Sequence, residues 1–351
     1  MRRSFWAVMG LFSILILILD PKTAADGVRE GISLSIQTVI PALFPFILLT
    51  HWAGRILEGF SFRVLKPVAG WLGIPQSGIS VFLLGTFGGY PTGAQLIYNR
   101  WEQNSISTSQ AKRLLGFCNN AGPAFLFGMG AVLFSEVKLI WCLWGIQILS
   151  SLVTAKLSPK EVSDPYTDTV TSPVSFTRSL ERAVKVMGII CGWVVVFRVL
   201  LCILDKWFFW CFPSPLKVFL YGILELSNGC VSLSEIQNPG LRFVLCSVFM
   251  SFGGFCVWMQ TASCVKELGI RSFVLGKLCQ TAISATLAML LQSFLFTGEC
   301  RIPFSAPSMI LVILCCLIPI IYKITVAFPK KSLYNTGKQK GVRLCSFENS
   351  R

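Results

Sequence analysis

Charge is scarce in this 351-residue sequence: 13% of its residues are Asp, Glu, Lys or Arg, and only 16 of them are acidic. An ordinary soluble domain carries about 25% charged residues, so the chain lacks the polar material to clothe a single soluble core. Histidine is nearly missing as well. With His51 alone, neither a histidine metal cluster nor a Ser/His/Asp triad has material to work with. The 14 cysteines include no CxxC pair and are scattered through apolar segments, as at Cys191, Cys202, Cys246, Cys256 and Cys279. They read as small hydrophobes packed between helices, not as metal ligands or redox pairs, and the adjacent Cys315 and Cys316 read the same way. Neither enzymatic chemistry nor a bound cofactor or metal is expected.

Apolar residues, by contrast, make up 54% of the chain, and 31 Lys plus Arg against 16 Asp plus Glu leave a net charge of +15. A soluble protein with that balance would suggest nucleic acid if the basic residues clustered on a polar face. Here they punctuate apolar runs, so the expected partner is the lipid bilayer and not nucleic acid. The fold expected is all-α, a polytopic transmembrane helical bundle. A span needs about 20 mostly apolar residues, and candidates lie at 5–19, 32–54, 78–98, 111–134, 137–155, 183–204, 243–262, 272–296 and 306–328. A further stretch, 216–233, is interrupted by Glu225 and Asn228 and reads as a partial span or an interfacial helix. The first segment follows Arg2 and Arg3 and precedes Thr23, Ala24 and Ala25, which resembles a signal-cleavage site. Because the next span begins almost at once, the segment reads as an uncleaved anchor.

Lys and Arg accumulate in cytoplasmic loops. The polar linker 156–182, with Lys156, Lys160, Arg178 and Arg182, and the tail 329–351, with Lys330, Lys331, Lys338, Lys340 and Arg343, are therefore placed inside, as are both termini. The linker divides the chain into an N-terminal membrane half, 1–155, and a C-terminal one, 183–328. Two further basic groups, Arg55, Arg63, Lys66 and Arg100, Lys112, Arg113, flank the single segment 78–98. A simple crossing would put one group outside. A re-entrant segment keeps both inside and leaves the sparser loops with Lys22, Arg29 and Lys138 outside.

The same segment holds Gly85, Gly88, Gly89, Pro91 and Gly93, a run that cannot remain a regular helix. Broken backbone at membrane depth is tolerated only inside protein or beside a polar cavity. A second break is expected where a short helix capped by Thr108 or Ser109 gives way to Cys118, Asn119, Asn120, Ala121, Gly122 and Pro123. Pro123 suits the first turn of a new half-helix, whose free N–H groups point a partial positive charge inward. The halves also share an element: Phe87-Gly88-Gly89-Tyr90 with Gln95, and Phe252-Gly253-Gly254-Phe255 with Gln260 at the same spacing. Downstream, Cys118-Asn119-Asn120-Ala121 resembles Cys279-Gln280-Thr281-Ala282. Repeats with interrupted hydrophobic segments point to a transporter-like site. The candidate solute-binding residues are Gly88, Gly89, Pro91, Gly93, Gln95, Asn119, Asn120, Pro123, Gly253, Gly254, Gln260 and Gln280. Their amides suit an uncharged or zwitterionic hydrogen-bonding solute. The competing reading is close helix packing with interhelical hydrogen bonds. Arg198 and Glu225, the ionisable residues in apolar surroundings, either pair or, in the simpler reading, Arg198 snorkels to a headgroup. His51, beside Trp52 at a span end, reads as interfacial.

The runs PALFPF at Pro41–Phe46, GTFGGYPTGAQL at Gly85–Leu96, FCNNAGPAF at Phe117–Phe125 and FGGF at Phe252–Phe255 resemble the YlbJ family of sporulation integral membrane proteins of endospore-forming bacteria. The resemblance covers about residues 5–328. It implies a multi-pass protein of the bacterial cell membrane acting in sporulation, with two Gate-like, or nucleoside-recognition, repeats. The function it suggests is a transporter-like protein or gated pore for a small polar solute, a nucleoside-like molecule being one member of that class. The alternative is a structural or assembly protein of the developing spore envelope, partnered with itself or with other sporulation membrane proteins. The chain departs from the family in FGGFCVWMQ, which has no Pro after its Gly pair, so an asymmetric site is expected.

Overall fold

The computed structural model describes residues 15–58, 66–74, 76–158 and 175–297. Most of segment 5–19, the span at 306–328, most of the linker and the basic tail lie outside the described residues. Every regular element among those described is helical, and five helices are long and apolar enough to cross a membrane.

The first is longer than the sequence suggests. Helix α1, Pro21–Leu34, starts at Asp20, whose Oδ1 accepts from Thr23 N at 3.4 Å, with Pro21 in its first turn. It passes through a π-helical turn, Ser35–Val39, into α2, Ile40–Glu58. Lys22 and Arg29, expected in a loop, are therefore on a helix. Their segment is held there by α9, Phe176–Trp207. Lys206 Nζ reaches Asp20 at 2.6 Å, and Arg198 donates to Glu30 from two nitrogens. Gly27 and Gly31 admit the neighbouring backbone: a Cβ on either would stand 2.8 Å from the Cα of Val199 or Val195. Small residues four apart permit such approach in membranes.

The first half then breaks into short helices: α3, Lys66–Leu72; α4, Gln76–Gly88; α5, Thr92–Glu102; α6, Thr108–Leu115; and α7, Pro123–Leu133. Helices α4 and α5 fold back on each other, so segment 78–98 leaves and returns at one end of the bundle, the course that the charge pattern requires. At that end Arg113 donates to the carbonyls of Gly73 and Leu72 at 2.6 and 2.7 Å, and Lys156 to that of Trp71 at 2.9 Å. Three orphan carbonyls at the C-terminus of α3 are thereby satisfied by cations that also suit the negative end of the helix dipole. The cap of α6 is Ser107, not Thr108 or Ser109. Ser107 Oγ accepts from Gln110 N while Gln110 Oε1 accepts from Ser107 N, a reciprocal capping box that neither neighbour can form with a glutamine three residues on.

Helix α8, Val137–Leu157, returns through the bundle. In the second half, stretch 216–233 is neither a span nor one helix. It splits into α10, Ser214–Leu224, and α11, Leu226–Ser232, around Glu225, whose side chain accepts from Asn228 N. Helix α12, Pro239–Phe252, bends into α13, Gly254–Val265, through Gly253 and Gly254 at φ +81° and +75°. Helix α14, Arg271–Leu295, is unbroken. The two glycine pairs thus both interrupt helices, but the first reverses the chain and the second only bends it. Cys118–Ala121 lies in a break, whereas Cys279–Ala282 sits mid-helix, where nothing in Cys-Gln-Thr-Ala forbids helix. The core packs α8, α12 and α14 together, with Leu126, Phe243, Phe249 and Phe273 fully buried.

Candidate functional site

The two first-half breaks touch. Gly89, at φ +75°, turns the chain in the left-handed region open to glycine, and a Cβ there would stand 3.0 Å from Gly122 N. On the flanking helices, a Cβ at Gly85 or Gly93 would overlap the Cys118 carbonyl oxygen. The α4–α5 hairpin therefore clasps the non-helical segment from Cys118 to Gly122, with Pro91 starting α5 and Pro123 starting α7. Gly88 packs on Thr50 and Thr92. On the other side, a Cβ on Gly254 would reach within 3.0 Å of Leu226 N, which brings the α12–α13 bend against the α10–α11 break.

The amides divide their work. Asn119 is spent on structure: Oδ1 accepts from Ala94 N at 3.3 Å and Nδ2 donates to Thr261 Oγ1 at 3.1 Å. Gln95 does not join the other amides, because its Oε1 meets His51 Nε2 at 3.1 Å and its Nε2 meets Cys264 Sγ at 3.5 Å. His51 is consequently buried against Gln95 and is not the interfacial side chain expected from its sequence position. Asn120 and Gln280 do come together, with Gln280 Nε2 donating to Asn120 Oδ1 at 3.0 Å.

What assembles them is a residue that the sequence reading passed over, Lys277. Its side chain is completely buried, and Nζ donates to Gln280 Oε1 at 2.6 Å, Asn120 Oδ1 at 3.0 Å and Tyr90 Oη at 3.1 Å. An ammonium has three donors, and all three are used. The rings of Tyr90 and Phe273 lie 5.0 and 5.8 Å from Nζ, within cation–π range. Asn120 is fixed in turn by donating to Phe117 O and Ser151 Oγ at 2.9 and 3.2 Å. The available signal was simple: Lys277 is the single charged residue in Ser272–Leu295 and stands one turn before Gln280.

Glu225 is the opposite case. It is 2% exposed, and its Oε2 accepts from Asn228 N and Nδ2 at 2.6 and 2.7 Å. Ser227, buried beside it, lines the same cavity as Glu225. Arg198 does not pair with Glu225. It binds Glu30 and reaches Asn228 Oδ1 at 2.5 Å, so Asn228 stands between the two charges. A cavity of about 30 Å³ lies between the breaks, lined by Tyr90, Gly122, Glu225, Ser227, Val257 and Gln260 among others. That is room for a water or two. Of the sequence-chosen residues, Gln260 faces this cavity directly, while Gly89, Gly254 and Pro123 shape the backbone around it.

Length and apolarity of the helices, their broken centre and the scarcity of charge define a polytopic all-α integral membrane protein. The chain is 25% identical over 342 residues to the sporulation integral membrane protein YlbJ of Bacillus subtilis (strain 168), an alignment spanning 82% of each protein. No family model matches the chain, so the Gate-like repeats stay an expectation of the sequence. No solved structure matches it.

Proposed function

We propose that this chain is a non-enzymatic membrane protein of bacterial sporulation that passes a small polar solute across the bilayer, as a transporter-like protein or gated pore. One observation carries the reading: backbone breaks from both halves meet around a small cavity lined by the buried polar side chains of Glu225, Ser227 and Gln260. Irregular backbone at membrane depth is tolerated where it is buried in protein or lines a cavity, and discontinuous helices typically form the midplane solute site of transporters. The similarity to the sporulation integral membrane protein YlbJ of Bacillus subtilis supports the sporulation context. A nucleoside-like solute is one member of the solute class, by the Gate resemblance alone.

The test is flux into liposomes holding the purified chain, with a panel of nucleosides, amino acids, sugars and organic acids. Gln260→Ala, which removes a cavity-lining amide, is expected to lower flux by about tenfold, the scale of one lost hydrogen bond to a bound solute, with unchanged membrane insertion. No flux across the panel, with a stable complex of other spore-envelope proteins recovered instead, would replace transport with an assembly role. Orientation is checked separately. In a cysteine-free background, Pro165→Cys in the linker is expected to react with an impermeant maleimide only from the cytoplasmic side, and labelling from outside would invert the topology.

A further inference from the structure

One carboxyl in the cavity wall is buried without a counter-charge. Glu225 lines the cavity, is 2% exposed and takes part in none of the ion pairs formed among the described residues. Arg198 reaches only as far as Asn228 and pairs with Glu30. The titratable groups that face Glu225 from the elements around it are thiols: Cys230 on α11, with Cys246 of α12 beside it, and Cys256 on α13. Tyr90 of the first half lines the same cavity. A carboxylate buried without a counter-charge is costly, and such a group escapes the cost by taking up a proton. The surroundings can serve both forms. Ionised, Glu225 accepts from Asn228 N and Nδ2 at 2.6 and 2.7 Å through Oε2. Protonated, it has an O–H to donate, and the cavity wall offers two neutral acceptors: the Ser227 hydroxyl and the amide oxygen of Gln260, whose Nε2 already donates to Cys256 Sγ at 3.3 Å. A hard metal cation needs more oxygens than these. The rest of the wall is largely apolar, Leu43, Phe125 and Val257 among it, and the Tyr90 hydroxyl is spent on Lys277 and the Met250 carbonyl.

From this arrangement we propose that Glu225 is the proton-coupling carboxyl of the transporter. It takes a proton from water when the cavity opens to one side of the membrane and returns it to water when the cavity opens to the other, so that proton movement is tied to solute movement. Ionisable residues inside membrane bundles serve as such proton carriers, and a cavity of about 30 Å³ admits the water that delivers and removes the proton. The inference rests on the transport reading and adds its driving ion.

The experiment uses the full chain in liposomes, with the membrane potential clamped by potassium and valinomycin and with the panel of nucleosides, amino acids, sugars and organic acids. For a solute that enters, a pH difference of about one unit is expected to drive up to about tenfold accumulation in one polarity, the worth of one coupled proton, and none in the other, after subtraction of protein-free liposomes. A protonophore should abolish the accumulation. Glu225→Gln should bring the ratio of driven to undriven uptake to one whatever its absolute rate, and Glu225→Asp, which keeps the carboxyl, should restore part of it. Infrared spectra of the purified chain give a reading independent of any solute. Acidification should raise a protonated-carboxyl band that Glu225→Gln lacks, and the absence of a Glu225-dependent band overturns the assignment. Because a variant could disturb the fold, the wild-type response is by itself decisive: flux that ignores the pH difference, or follows a sodium gradient instead, overturns the proton and leaves transport standing. No flux of any solute removes the transport reading and this inference with it.

Discussion

Gly93→Val is expected to destabilise the protein by about 3 kcal/mol, at the upper end of what overpacking ordinarily costs, and to abolish function. Its side chain would enter the space of the Cys118 carbonyl oxygen, with the Asn119 Cα 3.0 Å from the new Cβ. The obstacle is backbone of a segment that Gly85 clasps from the opposite helix, so no rotamer change can absorb it. The hairpin must leave the Cys118–Gly122 segment, and with it goes the register that puts Asn120 on Lys277 and Gly89 on Gly122. Denaturation in a mild detergent should show a lower midpoint for the mutant. An unshifted midpoint would mean that the hairpin does not clasp this segment. Gly128, whose Cβ would meet nothing within 4 Å, is the matched control, and Gly128→Val should leave the midpoint close to wild type.

A second large effect is expected at Asn120, and its sign depends on what else is changed. Asn120→Leu removes one of three acceptors from a fully buried ammonium and the shorter of the two acceptors of Gln280 Nε2, which keeps only Gln147 O at 3.3 Å. Hydrogen bonds to charged groups contribute about 1.5–3 kcal/mol, and a buried donor left without a partner costs a further 1–3, so a loss of about 3 kcal/mol is expected. Lys277→Met should cost less, because an apolar side chain of similar length removes the buried charge along with its needs. In the double variant, much of the Asn120→Leu penalty should disappear, giving a coupling of about 1.5–3 kcal/mol in a double-mutant cycle. Additive effects would show that Lys277 and Asn120 act independently, contrary to their 3.0 Å contact.

Much of this arrangement is legible in the residues themselves. Gly88-Gly89-Tyr90-Pro91 and Gly122-Pro123 announce breaks through backbone preference alone, and the basic groups around segment 78–98 announce that the chain turns back. The partnerships are not legible. Nothing local distinguishes Asn119, which serves a backbone N–H, from Asn120, which carries a lysine 157 residues away. Gln95 and Gln260 occupy the same place in the apparent repeat, yet one turns to His51 and the other to the cavity. Lys277 was hidden because one lysine in an apolar run usually ends at a headgroup. The extra turns of α1 were hidden because its charges are tolerated only through Asp20–Lys206 and Glu30–Arg198, contacts about 170 to 190 residues apart in sequence.

By itself the sequence determined the class of protein, the helical fold and the places where helices break, because scarcity of charge, long apolar runs and the conformational limits of Gly and Pro act locally. Only the tertiary structure decided which breaks face one another and which buried charges stay without a counter-charge. Those outcomes depend on side chains meeting across the bundle, where a polar group is acceptable only if another element supplies its partner.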